Sequence, residues 1–252
     1  MMHELIFSEV YKFIFIFLRL GSALMLMPGF NSSYINVRIR LSTSIMLSLV
    51  LIPFLSEYIP APSQNITENI RIFFIEICYG LFLGVIMQIM YFAINLCGNF
   101  VGQSSGFANA QMFDPTSQNQ SIVSETFLSL IAITVIFIID LHHLMISAVI
   151  DSYTLWPVGQ QLPTEDIAQF ISTIMNKSFI IGFKIGSPFI AFTIIFYTGM
   201  GLLSRLMPQL NIFFLSLPLQ IYLGLGLLFI TCPVIIMWFC QYFEEELLQF
   251  SQ

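Results

Sequence analysis

Apolar residues in this chain gather into long runs separated by short polar stretches. Six runs occupy roughly residues 10–27, 41–55, 72–96, 122–150, 179–203 and 212–243. None shows the period-two alternation of a lipid-facing barrel strand. In hydrocarbon a backbone has no water to bond, so runs of this kind fold as helices. The pattern predicts an all-α integral membrane protein of about six long apolar helical segments. Their lengths are uneven. The second run gives ~22 Å of helix at ~1.5 Å per residue, short of a ~30 Å hydrocarbon core. The sixth is overlong and holds Pro218 and Pro233. Each proline removes a backbone donor, so both are expected to kink or break the helix.

Composition sharpens the membrane assignment. Of 252 residues, 57% are hydrophobic and only 9% are charged, against about 25% charged in soluble domains. Eight basic and fourteen acidic residues could not cover the surface of a soluble protein this large. The net charge of −6 is diffuse, and no Lys/Arg run points to nucleic acid. The four cysteines, Cys78, Cys97, Cys232 and Cys240, form no C-x-x-C pair and are expected to act as small buried hydrophobes. The N-terminal segment opens with Glu4 and Glu9, and Lys12 and Arg19 interrupt it. That suits a retained helix better than a cleaved signal. No separate soluble domain is expected, so 1–252 is read as one domain.

The connections are polar and proline-rich: "PGFNSSYINVRIR", "SEYIPAPSQNITEN" and "YTLWPVGQQLPTED". Trp156 in the last stands where an interfacial aromatic would sit. In an idealised six-span arrangement, Arg38, Arg40 and Arg205 fall in odd-numbered loops. The positive-inside rule would then place those loops in the cytoplasm and both termini outside.

Charges inside apolar runs are expensive, at least ~2.5–3.5 kcal/mol each at mid-bilayer. They are Lys12, Arg19, Glu76, Asp140 and Lys184, with His142 and His143 beside Asp140. A functional reading makes "DLHH" a proton relay or a metal site. On a continuous helix, Asp140 and His143 share a face and His142 points elsewhere. The spacing therefore favours a helix end, or a side chain paired against a neighbouring subunit. No nucleophile elbow, P-loop or H-E-x-x-H motif occurs. Neither an enzyme, a metal nor a cofactor is expected.

Small residues recur at four-residue spacing: Gly80/Gly84, Gly98/Gly102/Gly106 and Gly182/Gly186. Such pairs let helix backbones approach closely, within this chain or between chains. After Gly106 the sequence reads "FANAQMFDPTSQNQ". Asp114-Pro115 starts a turn, since Pro disfavours helix at the residue before it and Asp bonds nearby backbone amides. Phe107, Met112 and Phe113 would then form an apolar tip between two helices. Such a tip can close a constriction against water and ions yet yield to a passing chain, and Met is flexible enough to adapt. A re-entrant turn buried in packing fits the same residues.

Three stretches resemble the FliR family, membrane components of the bacterial flagellar type III export gate. They are "GFANAQMFDP", residues 186–228 with the core "GLLSRLMPQLNIF" followed by "LSLPLQIYLG", and "NVRIRLSTSIMLSLVLIP". The injectisome family SctT shares parts of these motifs, but "RLMPQLN" and "LSLPLQ" are closer to the flagellar branch. The resemblance implies a non-catalytic pore subunit built of helical hairpins in a multi-subunit helical assembly with FliP and FliQ. FlhB and FlhA would sit at its cytoplasmic side, and unfolded flagellar subunits would be its cargo. It places the protein in the bacterial inner membrane, in the flagellar basal body. Fusions of family members to FlhB put the C-terminus in the cytoplasm, which outweighs three arginines. By resemblance, Phe107, Met112 and Phe113 fall in the loop that helps plug the closed pore, shaped by Asp114 and Pro115. Arg205, Pro208, Gln209 and Asn211 match the family's inter-helix turn, an assembly contact, with Pro218 and the Gly98/Gly102/Gly106 face as packing positions. A small-solute secondary transporter would instead show repeat symmetry between its halves, which this chain lacks.

Overall fold

The computed structural model describes residues 2–31, 35–60, 65–106, 123–160, 164–209 and 212–249. Seven helices are present among them. They are α1 (Met2–Leu26), α2 (Val37–Leu55), α3 (Ile66–Ser104), α4 (Val123–Ile138), α5 (Leu141–Leu155), α6 (Thr164–Leu206) and α7 (Ile212–Leu248). No strand occurs among the described residues, so the all-α expectation holds. Three helices have 39, 43 and 37 residues, where about 20 suffice to cross a bilayer.

Four helices are long and apolar enough to cross a membrane: α2, α3, α6 over Ile167–Leu206 and α7 over Ser216–Leu248. The interrupted α4–α5 pair would make a fifth. The approximate count of six is therefore reduced. The first run, α1, is not among them; its apolar part carries Glu9, Lys12 and Arg19.

Two expectations about breaks are corrected. Residues 122–150 were expected as one run, but the helix stops at Ile138 and restarts at Leu141. Asp140 lies between, in the left-handed region at φ 60°, ψ 18°. Pro218 and Pro233, by contrast, do not break α7, which runs through both; Pro53 and Pro188 likewise lie inside α2 and α6. A transmembrane helix tolerates proline because side-chain hydroxyls and local adjustment re-satisfy the freed carbonyls.

The described helices form two compact units. The first comprises Met1–Met90, Asp140–Met175 and Glu244–Gln252; the second comprises Tyr91–Ile139 and Asn176–Phe243. In the first, α1 packs on α2, α3 and α5. Its core gathers Tyr11, Phe15, Ile16, Leu55, Ile59 and Tyr153. Gly80 and Gly84 of α3 lie hard against α1. A Cβ at Gly80 would collide with the Arg19 carbonyl and the Ser22 hydroxyl, and one at Gly84 would lie 2.7 Å from the Leu26 Cβ. Arg40, counted above as a loop arginine, is inside α2 and buried, donating to the Met25 carbonyl at 3.3 Å. In the second unit, α3 is flanked by α4 and α6. Gly98 meets the Glu125 backbone, and Gly182 and Gly186 meet α3 at Ala93 and Phe100. The small-residue pairs thus serve approach between helices of this chain.

Candidate functional site

The stretch 107–122, with Phe107, Met112, Phe113, Asp114 and Pro115, lies outside the described residues. Its two flanks are described, and both belong to the second unit. On the leading side, α3 ends at Ser104 and the chain leaves through Gly106 at φ +76°. A left-handed glycine is a common way to terminate a helix. The last carbonyls of a helix have no partner within it. Here the Gln220 amide, only 2% exposed, donates to the Ser104 carbonyl at 2.7 Å. One turn along α7, Gly224 gives room for this approach, since a Cβ there would fall 2.5 Å from the Ser105 hydroxyl. Gln220 is the only amide or charged residue from Ile212 to Thr231.

The trailing flank is fastened just as closely. Ser124, in the first turn of α4, donates to the Gly98 carbonyl at 3.0 Å. The Asn99 amide donates to Glu125 at 2.9 Å, the Ser129 hydroxyl to the Asn95 side chain at 2.7 Å, and the Tyr91 hydroxyl to the Ser129 carbonyl at 3.0 Å. Glu125 also stands at the positive end of the α4 dipole. A ladder of four hydrogen bonds therefore ties α4 to α3, and Gly98 permits it: a Cβ there would sit 2.5 Å from the Glu125 Cα. Gly98, Gly102 and Gly106 are all buried. Beyond the ladder, an apolar groove opens between α4 and α7, lined by Phe127, Ile131 and Val135 on one side and Leu225, Phe229 and Ile236 on the other.

The other expected positions lie elsewhere. Arg205 closes α6, and Pro208 and Gln209 follow in the connection to α7, all exposed; Asn211 lies outside the described residues. Pro218 is exposed on α7. All four cysteines are free thiols, with Cys97 and Cys240 buried and Cys78 and Cys232 half-buried.

Sequence reasoning singled out Arg19 and Glu76 as costly charges but did not pair them. In the first unit they form a fully buried bidentate ion pair, at 2.6 Å from Nε and 3.1 Å from Nη2. The remaining guanidinium protons reach the Ser152 carbonyl and hydroxyl, at 3.1 and 3.2 Å, and the Trp156 carbonyl, at 3.1 Å. The rings of Tyr153 and Tyr79 cover it, with centroids 4.0 and 4.9 Å from its central carbon. One side chain thereby joins α1, α3 and the C-terminal end of α5. Two opposite charges in separate apolar runs were the available signal; sequence spacing alone could not match them across 57 residues.

The "DLHH" expectation needs correction. Asp140 is not inside a helix but precedes α5 in a left-handed conformation. His142 and His143 consequently occupy the first turn, with ring centroids 4.1 Å apart. One donor atom from each of Asp140, His142 and His143 lies within 4.8 Å of the others. The Asp140 and His143 side chains are 71% and 70% exposed, 3.5 Å apart. The set has a composition a divalent transition metal would accept. Among the described residues no fourth His, Cys, Asp or Glu joins it, and nothing further there points to an ion.

An all-helical scaffold with four or five membrane-length helices among the described residues is that of an integral membrane protein. The chain belongs to the bacterial export proteins, family 1, which it matches over residues 10–246. It is similar to the flagellar biosynthetic protein FliR of Caulobacter vibrioides, with 32% identity over 95% of each chain. It is also similar to FliR of Bacillus subtilis, with 28% identity over 88% of this chain and 86% of that one. FliR of Escherichia coli shares 23% identity, over 87% and 83%.

Proposed function

We propose that this chain is a non-catalytic pore subunit of the bacterial flagellar type III protein export gate. It works in the inner membrane, in the flagellar basal body, as a single export-gate domain. It assembles with FliP and FliQ, with FlhB and FlhA at the cytoplasmic side, and its cargo is unfolded flagellar subunits. The observation that carries this is the family match over almost the whole chain, joined to flagellar names among the relatives it resembles over most of their length. Those names favour the flagellar branch over the injectisome.

The loop holding Phe107, Met112 and Phe113 helps plug the closed pore, and Asp114-Pro115 shapes it. The clamping of both flanks supports this. A plug must resist ions at rest and still move aside for a polypeptide, so its ends need firm seats while its tip stays adaptable. Ser104, Gly106 and Gln220 seat one end; Ser124 and Glu125 seat the other. Arg205, Pro208, Gln209 and Asn211 form an assembly contact, which the exposure of the first three supports. So do large apolar side chains left uncovered on α7, among them Phe229 at 85%.

The test has two arms. Native mass spectrometry of the tagged chain, drawn from detergent-solubilised membranes, should find several FliP-like and FliQ-like chains. Replacing 107–122 by a short glycine linker should leave that assembly intact and make it conduct ions. A correctly assembled variant with unchanged permeability would sink the plug assignment.

A further inference from the structure

Lys184 is the one charge in α6 between Lys177 and Arg205. Around it the helix is two-faced. Gly182, Ile185, Gly186 and Phe189 are buried, and the two glycines press on α3 at Ala93 and Phe100. Ile180, Lys184, Ser187 and Ala191 recur at helical spacing on the opposite side, and all four are exposed. Among the described residues the Lys184 ammonium has no hydrogen-bond or ion-pair partner; only its backbone carbonyl is used, by the Ser187 hydroxyl at 2.8 Å. The flanking side chains Phe179, Ile180, Phe183, Ile194 and Ile195 are exposed and apolar.

An ammonium on an apolar helix is costly in hydrocarbon unless it is paired or reaches water. The chain itself shows the paired solution in its other unit, where Arg19 is enclosed with Glu76. Lys184 has the same need, and no carboxylate among the described residues meets it. We infer that the face of α6 carrying Ile180, Lys184, Ser187 and Ala191 docks an apolar helix of a different polypeptide, which presents an aspartate or glutamate to the Lys184 ammonium. Small side chains at Ser187 and Ala191 let that helix approach closely, while Ile180 and Phe183 supply apolar contact. The charge pair sets which helix docks and in which register, because a helix without the carboxylate would leave the ammonium buried and unpaired. This rests on the assembly proposed above and adds the chemistry of the partner.

The experiment places a photo-crosslinking amino acid at Ser187, leaving Lys184 intact, in cells that express the complete export apparatus. Peptide mapping should find the crosslink in an apolar helix of another polypeptide, within two turns of a carboxylate. In parallel, Lys184→Met and Lys184→Glu should lower recovery of the assembled complex at least tenfold. Lys184→Arg, which keeps the charge, should stay within twofold. Lys at the mapped carboxylate should rescue Lys184→Glu. Since the Lys184 ammonium has no hydrogen-bond or ion-pair partner among the described residues, the isolated Lys184→Met protein should melt with the parent, which separates a docking defect from misfolding. Crosslinks only to lipid, no protein crosslink, or full recovery of the Lys184→Met complex would overturn the inference. A parent chain that crosslinks to a carboxylate-bearing helix but purifies without FliP-like and FliQ-like chains would instead sink the gate proposal and leave this one standing.

Discussion

Arg19 and Lys184 are the same problem solved in two ways. Each is a cation in a long apolar helix. Around Arg19, α3 and the C-terminal end of α5 supply a carboxylate, three further acceptors and two aromatic faces, and the guanidinium is wholly buried. Around Lys184, the described residues supply no partner for the ammonium and leave the face exposed. The first unit carries its own electrostatic closure. The second clamps the ends of α3 and α4 through Gln220, Ser124 and Glu125 and leaves the Lys184 face exposed.

The largest expected effect breaks the closed site. Arg19→Ala or Glu76→Ala should each lower unfolding stability by about 3–5 kcal/mol, since a buried charge is left without its counterpart. Thermal unfolding in mild detergent reads this. Arg19→Met combined with Glu76→Leu should recover most of the loss, because both charges then leave together; a double variant as unstable as either single one would refute pairing as the cause.

Glycine substitutions sharpen the contrast next. Gly80→Ala should destabilise by about 1–3 kcal/mol, as its methyl would push α3 off the α1 backbone. Gly226→Ala on α7 meets nothing within 4 Å and should be neutral or stabilising by up to ~1 kcal/mol. Equal effects at the two positions would mean that the close approach at Gly80 is not maintained.

Gln220→Leu tests the seat of the loop. It leaves the Ser104 carbonyl buried without its donor, a loss of about 1–3 kcal/mol. Faster hydrogen exchange should be confined to the C-terminal turn of α3 and the facing turn of α7; uniform acceleration through the chain would argue against a local seat. The smallest effect lies at Asp140. Asp140→Gly should stabilise by up to about 1 kcal/mol, because φ 60° suits glycine, the Asp side chain caps nothing, and its ion pair with His143 is exposed. Destabilisation there would show that the Asp140 carboxylate has a structural duty.

Much of the architecture was legible along the chain. Long apolar runs can only be helices, and glycines four apart can only be close contacts, because both properties are local. Pro218 and Pro233 misled for the complementary reason: a proline removes a hydrogen bond, but whether the helix yields depends on what surrounds it. Asp140 misled the other way, since an apolar composition hides a left-handed residue that halts a helix. The motifs at 107–115 and after Arg205 carried the family resemblance, and the described flanks of the first, α3 and α4, are clamped together.

Sequence alone determined the solvent, the helical class and the places where charge would be costly, since each follows from composition or from spacing within one helix; the family followed from its resemblance to known motifs. Tertiary structure decided which charges meet. Arg19 found Glu76, Gln220 found the end of α3, and Lys184 found no partner among the described residues. Those outcomes depend on contacts between helices far apart in sequence, and no helical period encodes them.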